Sequence, residues 1–263
     1  MSFSFPHFTP ISSFTPLILH CLSVRLKKRD SWHIQAILRW FRLLGLHIKV
    51  FYVDFWRAYP PAIKAVYPEA QIQYDFFHTI QNIHRHLYKA LTAYRKAFKA
   101  AATAPDQVEL RTVLHKQLWQ YRYLLFTNEE NLSAEQHQIL DELLQTHAET
   151  IVEHIVLFRQ QLRTIFNDCN TFALALDHLA LLRLDGWADL NERFGKVMAF
   201  LEEHVHNMLT FLRVPGIQRF SLSECTVRTL RRIEKVRQGF KTHQGRVNHL
   251  KFLLWRKYLR PSP

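Results

Sequence analysis

From residue 79 to residue 216 the apolar residues recur three and four apart almost without a break, and this long helical run limits what the chain can build more than any other feature. Ile80, Ile83, Leu87, Leu91, Tyr94 and Phe98 form one stripe, with His84, Arg85, Lys89, Arg95, Lys96 and Lys99 on the other face. Pro105 breaks it, and Val108, Leu114, Leu118, Tyr121 and Leu125 continue as a second helix. Ser133-Ala-Glu-Gln136 has the form of a capping box opening a third, with Ile139, Leu140, Leu143 and Leu144 on its inner side. Further stripes run from Thr150 to Phe166, from Thr171 to Leu184 and from Ala188 to Leu212, ending at Pro215-Gly216. Such stripes are bundle core rather than a cofactor box. Only 6 glycines among 263 residues, against an average usage of about 7%, disfavour a fold of many tight turns.

One stretch departs from this pattern. His47 to Val53 is rich in β-branched and aromatic residues, Tyr59 to Tyr67 is helical and opened by a proline pair, and Ala70 to Tyr74 reads as a second short strand. The order predicts a parallel βαβ unit, with Asp54 and Asp75 at the C-terminal edge of the sheet, where α/β folds place ligands. The residues alone also allow a plainer reading, in which Asp54 caps the following helix and Asp75 with His78 opens the next one. Before this unit, Ser31 to Leu46 is an amphipathic helix with Gly45 as its C-cap. Residues 1–30 differ from the rest of the chain, having no charged residue before Arg25 and no signal-peptide layout, and are expected to be a poorly ordered leader.

The formal net charge of +13 favours a polyanionic partner, and its distribution says where. Thr127 to His204 holds 14 Asp and Glu against 5 Lys and Arg, whereas Cys225 to Pro263 holds 11 Lys and Arg against Glu234 alone. A nucleic-acid footprint is therefore expected at the C-terminal end. There Ser221-Leu-Ser-Glu224 opens a helix, with Glu224, Arg228, Arg231 and Lys235 on its polar side, and Arg246 to Tyr258 forms a last basic helix. Glu224 is also the fourth residue of a capping box and stands four before Arg228, so a structural role fits it too. Cys21, Cys169 and Cys225 lack zinc-site spacing and read as reduced thiols. His78, His84 and His86 likewise lack metal-ligand spacing and read as surface histidines.

Taken together, Tyr52-Val53-Asp54 with Tyr59, Pro68-Glu-Ala70-Gln-Ile72 leading to Asp75-Phe-Phe77-His78, and Glu224 followed by Arg231 to Phe240 resemble the DDE insertion-sequence transposases of the ISL type. The resemblance covers about residues 31–258. It implies a mostly α protein with a small β part, an incomplete RNase H-like α/β core interrupted by a long all-helical insertion. Residues 31–78 and 217–263 would supply the core and residues 79–216 the insertion. It also implies cleavage and transfer of DNA strands at element ends, with carboxylates holding two Mg²⁺ or Mn²⁺ ions, since hard cations prefer oxygen ligands.

On this resemblance Asp54 and Glu224 are the catalytic, metal-holding acids, and Asp75 and His78 support them. Arg228, Arg231, Arg232, Lys235, Arg237, Lys241 and Arg246 would contact double-stranded DNA. The implied setting is cytoplasmic and nucleoid-associated, without a membrane, and a homo-oligomer fits a transposition complex. The family's first acid has no counterpart on an earlier strand, because Asp30 is the sole acidic residue before Asp54. Phe76 stands where a basic residue is common. A truncated, catalytically incomplete copy, aggregating or silent when expressed alone, is therefore the expectation; the competing readings are a non-catalytic basic DNA-binding or assembly module and, more remotely, a basic helical protein on an anionic membrane.

Overall fold

The computed structural model describes residues 30–219. Asp30 caps the first helix, α1 (Ser31–Leu43), by accepting from the His33 backbone N–H at 2.9 Å. At the other end Gly45 adopts φ +76°, and Gly45 N and Leu46 N donate to Arg42 O and Phe41 O. This pair of bonds is a Schellman closure, and it ends the helix three residues before the expected Leu46. Strand β1 (Val50–Val53) is shorter than the predicted His47 start, followed by α2 (Tyr59–Val66), with proline in its first turn, and β2 (Gln71–Tyr74). The strands pair in parallel, Val50 opposite Gln71 through Val53 opposite Tyr74, so the βαβ unit forms as expected.

Helix α3 (Phe76–Ala100) leaves directly from β2, and α4 (Pro105–Gln120) begins on the proline that was expected to break it. The second helix stops at Gln120, earlier than expected, and a 3-10 turn (Leu124–Phe126) comes next. Helix α5 (Ala134–Thr146) opens on the expected capping box, with Ser133 and Gln136 bonded reciprocally. Then come α6 (Ile151–Arg163) capped by Thr150, a π turn (Thr164–Asp168), and α7 (Phe172–Leu184) capped by Thr171. The stripe from Ala188 to Leu212 is three helices rather than one: α8 (Trp187–Leu190), α9 (Glu192–Met208) and α10 (Thr210–Arg213). Extended backbone at Asn191, whose side chain accepts from Arg193 N at 2.8 Å, makes the first break. Asn takes such local bonds readily, and periodicity does not reveal them.

Two compact units emerge, one from residues 30–79 with 206–219 and the other from Ile80–Val205. In the first, α1 packs on α2, with Ile34, Leu38 and Phe41 of α1 and Ala62 and Ile63 of α2 buried, and β2 packs against α10. The second is helical, with Phe158 and Phe194 edge to face at 4.9 Å and Trp187 beside both in its core. The fold is thus mostly α with a two-stranded parallel sheet.

Candidate functional site at the sheet edge

Asp54 and Asp75 each stand one residue beyond the last strand pair, Val53 and Tyr74. The Asp75 N–H donates to Val53 O at 2.9 Å, so the ladder holds its register up to the acid itself. Neighbouring strands lie about 4.8 Å apart, which sets the backbones of the two acids side by side. Phe55 packs on Tyr74, ring centroids 4.3 Å apart, and so ties the residue after one acid to the residue before the other.

The two carboxylates are used differently. Asp75 is buried; its Oδ1 accepts from the His78 backbone N–H at 3.3 Å and lies 3.1 Å from His78 Nδ1. It acts as the N-cap of α3, consistent with the plainer reading of this pair. Asp54 is half-buried, and its Oδ1 accepts from Trp56 N at 2.9 Å in a local turn. It does not cap α2, whose N-cap is Ala58 without a side-chain bond. No hydrogen bond among the described residues engages Asp54 Oδ2.

Donor chemistry gives a divided result for a divalent metal. A half-buried carboxylate with one oxygen pinned and the other open suits a hard cation. Among the described residues no three His, Cys, Asp or Glu side chains cluster to complete a coordination set. Asp30, the sole acid preceding Asp54, is engaged by His33 through both its backbone N–H and, at 2.7 Å, its ring nitrogen. Glu224 and the basic residues Arg228, Arg231, Arg232, Lys235, Arg237, Lys241 and Arg246 lie outside the described residues, as do the leader and two of the three cysteines.

Several contributors were not read from the sequence. Gln73 is fully buried, donating to Tyr74 O and to Met208 O at 2.8 Å and accepting from Phe211 N at 2.9 Å. Thr210 Oγ1 donates to Ile72 O at 2.6 Å. Tyr52 hydroxyl accepts from Gln218 N at 3.1 Å; burial raises its pKa, and that bond partly offsets the rise. These bonds fasten residues 208–218 to the strands that carry the acids. Arg219 comes next, its guanidinium 4.3 Å from the Phe76 ring centroid and its pKa lowered by burial. A cation thus sits beside the residue after Asp75, where the sequence itself offers only Phe76. An arginine donated from residues far along the chain leaves no local spacing to find.

His84 and His86 are not simple surface histidines. His84 lies edge-on to Phe126 at 5.0 Å, and burial, with the Arg159 charge, lowers its pKa to about 4. Nδ1 of His86 is buried without a hydrogen-bond partner, and burial and neighbouring cations lower its pKa. No described helix is long and apolar enough to cross a membrane.

Comparison with curated proteins and with solved structures returns no match. The sequence pattern of a family described as transposase, of the ISL3 DDE type, matches residues 20–244. That span covers most of the 263 residues, from before the first described helix to beyond Glu224. The chain belongs to the ISL3-type DDE transposase family.

Proposed function

We propose that this chain is a DNA-binding transposase with an incomplete metal site. The observation that carries the reading is Asp54, a carboxylate at the C-terminal edge of a parallel sheet with one oxygen fixed and one open, in a chain of the transposase family. In this reading Asp54 and Glu224 contribute to holding Mg²⁺ or Mn²⁺, and the family reaction is strand cleavage and transfer at element ends. Bound ions would activate the attacking water or 3′-hydroxyl and stabilise the leaving oxygen of an in-line displacement. Residues 31–78 and 217–263 belong to an RNase H-like core and residues 79–216 to its helical insertion. Asp75 holds the start of α3 through its bonds to His78 and supports the edge without taking a metal. The basic residues from Arg228 to Arg246 contact double-stranded DNA, in a cytoplasmic, nucleoid-associated setting.

Incompleteness rests on one observation, the commitment of Asp30 to His33 through its backbone N–H and ring nitrogen. It favours a second reading, in which the chain binds or assembles on DNA without cutting it. The test incubates the purified chain and its Asp54→Ala variant with supercoiled plasmid and with element-end duplex, plus Mg²⁺ or Mn²⁺. Duplex binding without nicking is expected from both proteins. Mg²⁺-dependent nicking that disappears in Asp54→Ala would establish a complete site and overturn the incompleteness. No duplex binding at low salt would overturn the DNA reading itself.

A further inference from the structure

Helix α3 carries no acidic residue over its 25 positions. Arg85, Lys89, Lys96 and Lys99 recur along it at i, i+4, i+11 and i+14, and all four are exposed, so they form one outward stripe. From Arg85 to Lys99 the rise is about 21 Å, a length of duplex axis that carries about six phosphates on each strand. The opposite face is spent on the core through Ile83, Leu87, Ala90 and Leu91.

A second feature of the same helical unit adjoins this stripe. The guanidiniums of Arg95 on α3 and Arg122 just beyond α4 both lie over the Trp119 ring, 4.1 and 3.8 Å from its centroid. Arg122 also donates to Trp119 O, whereas the Arg95 side chain makes no hydrogen bond among the described residues, and its Nε is buried without a partner. The contrast with Arg111 is informative: it crosses from α4 to donate to Phe98 O at 3.0 Å and so has a structural use. Burial lowers the Arg95 pKa and Arg122 lowers it further, while burial, Arg95 and Lys99 lower that of His115. Every charge acting on these groups is positive. No ion pair among the described residues engages the stripe or the two arginines.

We propose that the Arg85, Lys89, Lys96 and Lys99 stripe, with the Arg95–Trp119–Arg122 stack, is a binding surface for the phosphodiester backbone of double-stranded DNA. Its residues are none of those assigned to the sheet-edge site or to the basic C-terminal sequence. Stacking on Trp119 restricts both guanidiniums before a phosphate arrives, so less side-chain freedom is lost on binding. Duplex fits better than single-stranded nucleic acid, because two arginines already occupy the aromatic ring on which an unpaired base would stack. A membrane fits less well, because the apolar face of α3 is buried and cannot enter acyl chains. The surface reads charge and spacing and carries no base specificity.

The test measures duplex affinity of the full chain by fluorescence anisotropy across a salt series, using a duplex of about 20 base pairs and arbitrary sequence. Arg95→Gln with Arg122→Gln should lower the slope of log K against log salt by about 2 and reduce affinity near 0.1 M salt roughly 50-fold. Circular dichroism checks that the variant folds. Lys99→Gln changes an exposed side chain and gives an independent reading, with an expected slope loss of about 1. Unchanged slopes in folded variants would overturn the proposal, as would binding to phosphatidylserine vesicles without binding to duplex. Nicking plays no part in this readout, so an inactive sheet-edge site leaves the result interpretable.

Discussion

Two stretches of the helical unit share the same amphipathic logic and use their charges in opposite ways. Residues 80–122 hold 8 Lys and Arg against Asp106 and Glu109, whereas residues 127–204 hold 14 acids against 5 Lys and Arg. In the acidic stretch the cations find partners within the unit: Arg163 meets Glu130, Arg183 meets Glu202 and Lys196 meets Glu192. Arg159 is driven inward, donating to Leu125 O at 2.6 Å, Phe126 O at 2.8 Å and Asn128 Oδ1 at 3.3 Å. In the basic stretch, Arg95 and Arg122 both stack on Trp119, and no ion pair among the described residues engages either. Charge that a unit neutralises internally belongs to its architecture; charge left unopposed on an ordered helix points to something outside it.

Arg159 gives the largest test of this difference. Its burial pushes the guanidinium pKa down to about 10, with Arg163 adding to the shift, and its removal orphans carbonyls at the 3-10 turn. Arg159→Ala should cost about 3 kcal/mol in urea unfolding. A loss well under about 1 kcal/mol would mean that the bonds of this arginine contribute little to the fold.

His84 adds a dependence on pH. Its folded pKa of about 4 lies below the ordinary 6.5, so the unfolded chain binds more protons between those values. Stability is therefore full above about pH 6.5 and falls as pH drops towards 4. The urea midpoint should decline between about pH 7 and pH 5, and His84→Gln should flatten that decline. An equally steep decline in the variant would assign it to other groups.

The smallest effect is expected at the exposed Arg163–Glu130 pair. Glu130→Gln should leave the urea midpoint nearly unchanged, because exposed ion pairs contribute little, and should leave the salt slope of duplex binding unchanged as well. If Glu130→Gln steepened that slope, the cations of the acidic stretch would also be contacting DNA and the contrast between the two stretches would fail.

The βαβ unit was legible because β-branched runs, a proline pair and Pro68 each act locally. The capping box at Ser133 was legible for the same reason, whereas Thr150 and Thr171 were read only as the starts of apolar stripes and prove to be the caps. Breaks at Asn191 and Leu209 were not, since the apolar stripe runs through both and a side-chain bond or a single backbone angle decides the matter. At the site, the order of the acids along the strands was readable, but their division of labour was not. Whether an aspartate caps a helix or leaves an oxygen open depends on which N–H approaches it, as Trp56 N does for Asp54 and His78 N for Asp75. Gln73 was hidden because glutamine in a strand normally signals an exposed face, and two of its partners, Met208 O and Phe211 N, lie 135 residues or more away along the chain.

That separation bears on the timing of folding. The Gln73 bonds close only after residues 135 positions apart have met, and in a structureless chain such a closure costs about 4 kcal/mol plus a constant. Each helix that forms between Thr79 and His206 shortens the effective loop and lowers that cost. Maturation of the sheet is therefore coupled to helices that lie between its two fastening segments along the chain. Slow helix formation would leave the strands exposed to pairing with other chains, so refolding yield should depend more strongly on protein concentration in helix-weakening variants than in the wild-type chain.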